Sequence, residues 1–216
     1  MQGYQQQFIE FVITNDILRF GEFTLKSGRQ SPYFFNAGLF NTGAKLAFLA
    51  RCYAAAIRDA ELEFDVMFGP AYKGIPLAAV TSATLAVEYG FDRPYCFNRK
   101  EVKDHGEGGL IVGAPLKGKV LLIDDVITAG TAVGEAVEII NGAGAELAGI
   151  VVAMDRQEKG KGEHSTIQEI AIRYDVPIVC IICLQDIINY LDASGDSRYS
   201  EHLEAIDRYR KQHGVY

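Results

Sequence analysis

The chain has 216 residues, 21 basic and 28 acidic, a formal charge of −7 at pH 7 and 49% hydrophobic residues. That length allows one sizeable core with a small appendage, and moderate charge with this apolar content excludes a disordered chain. The acidic balance argues against nucleic acid as the main partner, because proteins that ride on phosphate backbones usually carry the opposite sign; a small anionic ligand stays open where basic residues cluster.

Phe8, Phe11, Val12, Asn15 and Leu18 recur at three and four, which predicts an opening helix to about Leu18. Residues 20–40 mix Gly21, Gly28, Pro32 and Gly38 with Phe23, Tyr33, Phe34, Phe35 and Phe40, the composition of short strands and turns forming a small hood. The alanine-rich stretch 44–58 is helical. A repeating order follows: strand 64–69, helix 75–89, strand 95–98, strand 120–124, helix 131–142, strand 147–154. Thr166-Ile167-Gln168-Glu169 fits a capping box opening another helix. Strand 177–184, a short helix 184–191 and an amphipathic helix 197–212 close the chain.

Strands alternating with helices predict an α/β fold with a central parallel sheet flanked by helices. The strands are continuous apolar runs, as expected when both faces are covered. Residues 1–216 read as a single domain, with residues 20–40 contributing the hood. Ligands in such sheets bind beyond the carboxyl ends of the strands, near a topological switch point.

Cys180 and Cys183 form the one CxxC, inside the apolar run 178–184. Residues three apart in a strand point to opposite faces, and no second CxxC completes a zinc site, so two buried strand cysteines are expected. Met1-Gln2-Gly3-Tyr4-Gln5 is not a basic segment leading into an apolar core, so no signal peptide is expected. No apolar run approaches the roughly 18–20 residues of a membrane span, and reduced thiols suit a cytoplasmic protein.

The strongest local signal runs from Val120 through Asp124-Asp125-Val126-Ile127-Thr128-Ala129-Gly130-Thr131-Ala132. An apolar strand ends in two carboxylates, and a loop of small and hydroxyl residues leads into a helix. The free N–H groups and positive dipole end of a helix start suit a phosphate. The acids are placed to hold hydroxyls or a hydrated Mg²⁺, so the pattern describes a phosphorylated sugar; the alternative is a strand-to-helix turn with a capping aspartate. The Gly-Lys-Ser/Thr ending of a Walker loop is missing.

This segment resembles the 5-phosphoribosyl diphosphate motif of the type I phosphoribosyltransferases, and other parts resemble the orotate branch of that family over essentially the whole chain. The resemblance implies transfer of the 5-phosphoribosyl group from 5-phosphoribosyl 1-diphosphate to orotate in de novo pyrimidine biosynthesis, with Mg²⁺ as cofactor held mainly by substrate and water near Asp124 and Asp125. The segment Gly69-Pro70-Ala71-Tyr72-Lys73-Gly74 is similar to the family's pyrophosphate loop, with Tyr72 and Lys73 contacting ligand and a cis peptide not at a proline. Read from its residues alone, it is equally a Gly/Pro turn with a solvated lysine. The run 98–109 resembles the mobile catalytic loop; by that resemblance Arg99, Lys100, Lys103 and His105 reach the diphosphate, some in the neighbouring subunit, which implies a homodimer with shared active sites. Glu101, Asp104 and Glu107 offset most of that charge, as on any solvated surface.

The resemblance also assigns Lys26 to the diphosphate substrate, and Phe34, Phe35, Thr128 and Arg156 to orotate. Phe34-Phe35 has equally the character of core. Arg156 follows a strand at the ligand end of the sheet and suits a carboxylate; the alternative is a surface arginine paired with Asp155. Two other functions remain open: a phosphoribosyltransferase for another base, and a non-catalytic regulator of the same fold.

Overall fold

The computed structural model describes residues 1–25, 27–103, 109–128, 130–160 and 162–215, with the side chains of residues 102 and 103 excepted. A six-stranded sheet forms the centre, in the order β5-β4-β3-β6-β7-β8. Its strands are β3 (Val66–Gly69), β4 (Tyr95–Lys103), β5 (Gly109–Gly113), β6 (Lys119–Asp124), β7 (Glu146–Asp155) and β8 (Ile178–Cys183). All neighbours pair in parallel except β4 and β5, which are antiparallel. The sheet is therefore mostly parallel, as expected, with one antiparallel edge strand, β5, that was not among the strands read from the sequence. The run 98–109 resembles a mobile loop, yet Gly109 opens a strand whose partner is the longer-than-expected β4.

Alternation along the strands explains the continuous apolar runs. In β6, Leu121 and Ile123 join a core cluster with Tyr53 and Leu77, while Val120 and Leu122 join a second with Val133 and Ile140. Helices α2 (Gly43–Asp59) and α3 (Gly74–Tyr89) cover the first face; α4 (Thr131–Gly142) and α5 (Thr166–Tyr174) cover the second. Each fully buried aliphatic side chain stabilises the fold by roughly 1.5–3 kcal/mol. Helices α6 (Leu184–Ser194) and α7 (Ser200–His213) add to the first face.

The opening helix α1 (Gly3–Thr14) stops earlier than the spacing suggested. Asp16 adopts a left-handed conformation (φ 57°), and the chain turns so that Ile17 and Leu18 enter the core as the start of a strand. Leu18 opens the hairpin of β1 (Leu18–Thr24) and β2 (Gln30–Phe35), which is the hood, followed by a 3-10 turn at Ala37–Leu39. The capping box of α5 is shifted by one residue. Ser165, not Thr166, is the cap, accepting from Gln168 N at 3.1 Å while Gln168 answers at Ser165 N; the Glu169 side chain instead accepts from Gly162 N.

All four cysteines are free thiols. Cys180 and Cys183 are only partly buried, because β8 is an edge strand. Burial still pushes their thiols up to about 12 and about 11. Among the described residues no helix is long and apolar enough to cross a membrane.

Candidate active site

The chain leaves β3 toward β4 on one side, while β6, its other neighbour, leads away to β7. The carboxyl ends of β3 and β6 therefore flank the crevice where ligands of open α/β sheets bind. Two loops rise there, one from each strand.

The loop after β3 closes tightly upon itself. A Cβ on Gly69 would collide with the Gly74 carbonyl oxygen, and Gly74 N donates to Pro70 O at 3.0 Å. The Ala71–Tyr72 peptide is cis, as the resemblance implied. Ala71 N donates to Asn98 Oδ1 of β4 at 2.9 Å, and Tyr72 and Lys73 are left outward and exposed. Gly69→Ala forces backbone apart, so a loss of at least about 2–3 kcal/mol is expected in denaturant unfolding. An unfolding midpoint equal to wild type would refute that close packing.

The loop after β6 is held from below. Tyr53 OH donates to Asp124 O at 2.8 Å, and Ala153 N donates to Asp125 O at 2.8 Å. Each carboxylate accepts one backbone N–H: Asp124 Oδ1 from Asp125 N at 2.9 Å, Asp125 Oδ1 from Val126 N at 2.8 Å. The other oxygen of Asp125 meets Lys73 Nζ at 2.5 Å, an ion pair that joins the two loops across the crevice. Burial, then the neighbouring Asp125 charge, raise the Asp124 carboxyl from 3.8 to about 6, against the lowering pull of Asp125 N–H and Lys73.

Ile127 is buried in the core beneath α4 and Val126 packs against the opposite cluster, so each offers the crevice its backbone rather than its side chain. Thr128 O accepts from Thr166 Oγ1 at 3.2 Å. Gly130 caps α4 in the left-handed region (φ 73°), where a Cβ would press on Ile170 Cδ1 at 3.1 Å. The first turn of α4, from Thr131 and Ala132, carries no acidic side chain, so its free N–H groups and dipole stand ready for an anion. Ala129 lies outside the described residues.

Arg99 and Lys100 lie on β4. Arg99 Nη1 donates to Gly109 O at 3.1 Å, and Lys100 Nζ sits 5.8 Å from the centre of the Tyr72 ring. The Lys103 backbone pairs with Gly109 at the end of the ribbon. The Lys103 side chain, and His105 entirely, lie outside the described residues, as does Lys26.

On the hood side, strand alternation separates Phe34 from Phe35. Phe35 is buried beside Phe8 and Phe40, whereas Phe34 is half-buried and stacks on Phe23 with ring centres 5.6 Å apart. Arg156 is not paired with Asp155, which accepts from Gln157 N instead. Its partner is Glu158, and its guanidinium carbon lies 4.3 Å from the centre of the Tyr33 ring. A cavity of about 190 Å³ opens between hood and crevice, lined by Gly38, Phe40, Tyr53, Lys73 and Asp125 among others.

Tyr53, Asn98 and Glu158 escaped the sequence reading. Tyr53 sits in a stretch that reads only as alanine-rich helix, Asn98 at the end of a strand, and Glu158 in a polar run; their partners are 71, 27 and up to 129 residues away in the chain for Tyr53, Asn98 and Glu158.

The family model of the phosphoribosyl transferase domain matches residues 39–177. An orotate phosphoribosyltransferase of Vibrio vulnificus is 59% identical over 215 residues, covering 100% of both chains. One from Yersinia enterocolitica is 58% identical at the same coverage. A crystal structure of orotate phosphoribosyltransferase from Francisella tularensis superposes with a TM-score of 0.87 at 46% identity, covering 97% of this chain and 100% of that one.

Proposed function

Since the chain belongs to the orotate phosphoribosyltransferase family, we infer that it transfers the 5-phosphoribosyl group of 5-phosphoribosyl 1-diphosphate to orotate. The products are orotidine 5′-phosphate and diphosphate, in de novo pyrimidine synthesis. The observation that carries the reading is the Lys73–Asp125 ion pair, which joins a cation-bearing loop to a sugar-and-phosphate loop at one switch point.

The bond between the anomeric carbon and the diphosphate oxygen breaks, its electron pair leaves with diphosphate, and a pyrimidine nitrogen bonds to the same carbon and gives up its proton to water or the departing diphosphate. The first turn of α4, with Gly130, Thr131 and Ala132, holds the 5′-phosphate. Asp124 and Asp125 hold the ribose hydroxyls and favour positive charge growing on the ring. Tyr72, Lys73, Arg99, Lys100, Lys103 and His105 receive the diphosphate, and catalysis is positional and electrostatic. Lys26 belongs to the same substrate; Phe34, Phe35, Thr128 and Arg156 belong to orotate, with Phe35 contributing backbone because its ring is in the core.

Mg²⁺ fits this donor set. The two carboxylates are hard oxygen ligands that would hold the ion together with substrate oxygens and water. When bound it neutralises charge on the diphosphate.

The homodimer has support in α3. Glu88 is its one charged residue, and Ala83 and Val87 face outward with Tyr89, Val87 being 85% exposed. An exposed apolar helix face marks an interaction surface. A reducing, cytoplasmic location fits the four free thiols.

Orotate absorbance followed with 5-phosphoribosyl diphosphate and Mg²⁺, beside uracil and adenine, tests the reading. Loss of orotate that requires both additions, without turnover of the rivals, is expected; a site built around a carboxylate discriminates by up to roughly 10⁴. Turnover of a rival in place of orotate would overturn the base assignment and leave the sugar site standing.

A further inference from the structure

The acid that holds Arg156 belongs to no motif in the sequence. Arg156 Nε donates to Glu158 Oε1 at 2.7 Å, Nη2 forms an ion pair with the same oxygen at 2.5 Å, and Nη2 donates to Ser31 Oγ at 3.1 Å. The pair is well buried, with 12% and 14% of the two side chains exposed. Glu158 also lies 3.6 Å from Arg29 Nη1 and accepts from Tyr33 OH at 3.4 Å. One carboxylate thus joins the hood strand β2 to the segment that follows β7.

We infer that Glu158 is a positioning residue of the base site, fixing which edge of the Arg156 guanidinium is bound to the protein and which remains for orotate. This rests on the reading of Arg156 as a partner of orotate. With Nε and Nη2 engaged and the guanidinium carbon 4.3 Å from the centre of the Tyr33 ring, Nη1 carries the N–H groups bound to neither Glu158 nor Ser31, and the Tyr209 hydroxyl lies beside the same pair. Glu158 also cancels much of the arginine's charge. The attraction for orotate is therefore directional: two aimed N–H donors favour a carboxylate oxygen that lies along their bonds, while a free cation would draw any anion.

The backbone carrying Glu158 is itself braced. Gln157 is left-handed (φ 51°), a conformation that non-glycine residues adopt only when their surroundings enforce it. Its N–H donates to Asp155 Oδ1 at 2.8 Å, its Oε1 accepts from Gln185 N at 2.9 Å, and its carbonyl accepts from Val215 N at 2.9 Å. Lys159 N donates to His213 O at 2.7 Å, and Glu158 bridges to Gly214. The end of α7 thereby fastens the 157–159 turn, and Tyr209 of the same helix packs edge-on against Tyr33 at 6.2 Å.

Steady-state kinetics on the full-length enzyme with both substrates varied test the inference, using Glu158→Ala, Glu158→Gln, Arg156→Ala and the double alanine variant. Glu158→Ala is expected to raise KM for orotate about tenfold or more, the effect of one lost charge-assisted bond, with KM for 5-phosphoribosyl diphosphate within about twofold of wild type. Glu158→Gln keeps an oxygen acceptor for Arg156 and restores most of the orotate KM. In the Arg156→Ala background, Glu158→Ala adds no further increase. If Arg156→Ala raises the orotate KM and Glu158→Ala leaves it unchanged, the inference falls and the base site stands. If Arg156→Ala itself leaves the orotate KM unchanged, the base-site reading falls and takes the inference with it. Equal rises in both KM values, accompanied by a lower Tm, assign Glu158 a structural role only and overturn the inference. Should Glu158→Ala not fold, Glu158→Asp, one methylene shorter, decides: a several-fold rise confined to orotate supports positioning, and an unchanged value refutes it.

Discussion

Replacing Asp124 by asparagine is expected to make the protein more stable at pH 7.5 and nearly inactive. The folded protein holds the Asp124 proton more tightly than the unfolded chain does, with the carboxyl at about 6 against 3.8. Its ionisation therefore costs stability progressively as pH rises from about 4 to about 6, and the whole cost is present above that window. Asparagine retains an oxygen for the Asp125 N–H and carries no charge. Thermal melts should show the variant above wild type by about 1–3 kcal/mol at pH 7.5 and the difference shrinking toward pH 4. Turnover should fall by two to three powers of ten, the usual cost of removing one group aimed at developing charge. A variant no more stable than wild type at pH 7.5 would refute the burial argument, and one with near-normal turnover would remove Asp124 from the ribose site.

Lys103→Ala is expected to lower turnover by a similar two to three powers of ten while KM for 5-phosphoribosyl diphosphate changes little. The ammonium would act on the leaving diphosphate, where negative charge grows only as the bond breaks, so its loss falls on kcat. Mixing the Lys103→Ala and Asp124→Asn proteins carries the test further. If the lysine serves the neighbouring subunit's site, a mixed dimer holds one doubly defective site and one intact site, and activity recovers to on the order of a quarter of wild type. Each variant's own residual rate, unchanged on mixing, would place the lysine in its own subunit's site or remove the dimer altogether.

What the sequence made legible was what lies in one continuous run. The segment from Asp124 to Thr131 carries its acids, small loop and helix start in order, and the structure has them as a strand end, a loop and the first turn of α4. The loop after β3 was legible for the same reason. The residues that brace these loops were not, because their meaning is a contact at long range. Tyr53 reads as one aromatic among alanines until its hydroxyl is found on Asp124 O. Glu158 reads as one charge in a polar run until Arg156 beside it and Arg29 and Tyr33 of the distant hood gather on it. The helix end at Thr14 was missed because an apolar spacing of three and four continued past it, and only the left-handed Asp16 shows where the period ceases to describe a helix. β5 was hidden because a glycine at a strand start and a glycine in a loop look alike from the chain.

The two loops of the crevice rise from strands that are direct neighbours, with Val66 opposite Val120 and Phe68 opposite Leu122. Parallel neighbours lie about 4.8 Å apart, a spacing set by backbone hydrogen bonds that no side-chain change can stretch. The protein therefore owns a ruler. One mark is the start of α4, the other is the turn carrying Lys73, and the rigid sheet holds the interval between them. Under the function proposed above, a molecule with charge at both ends of a pentose reaches both marks at once. A pentose with a single phosphate reaches one, and leaves Lys73 where it already rests, on Asp125.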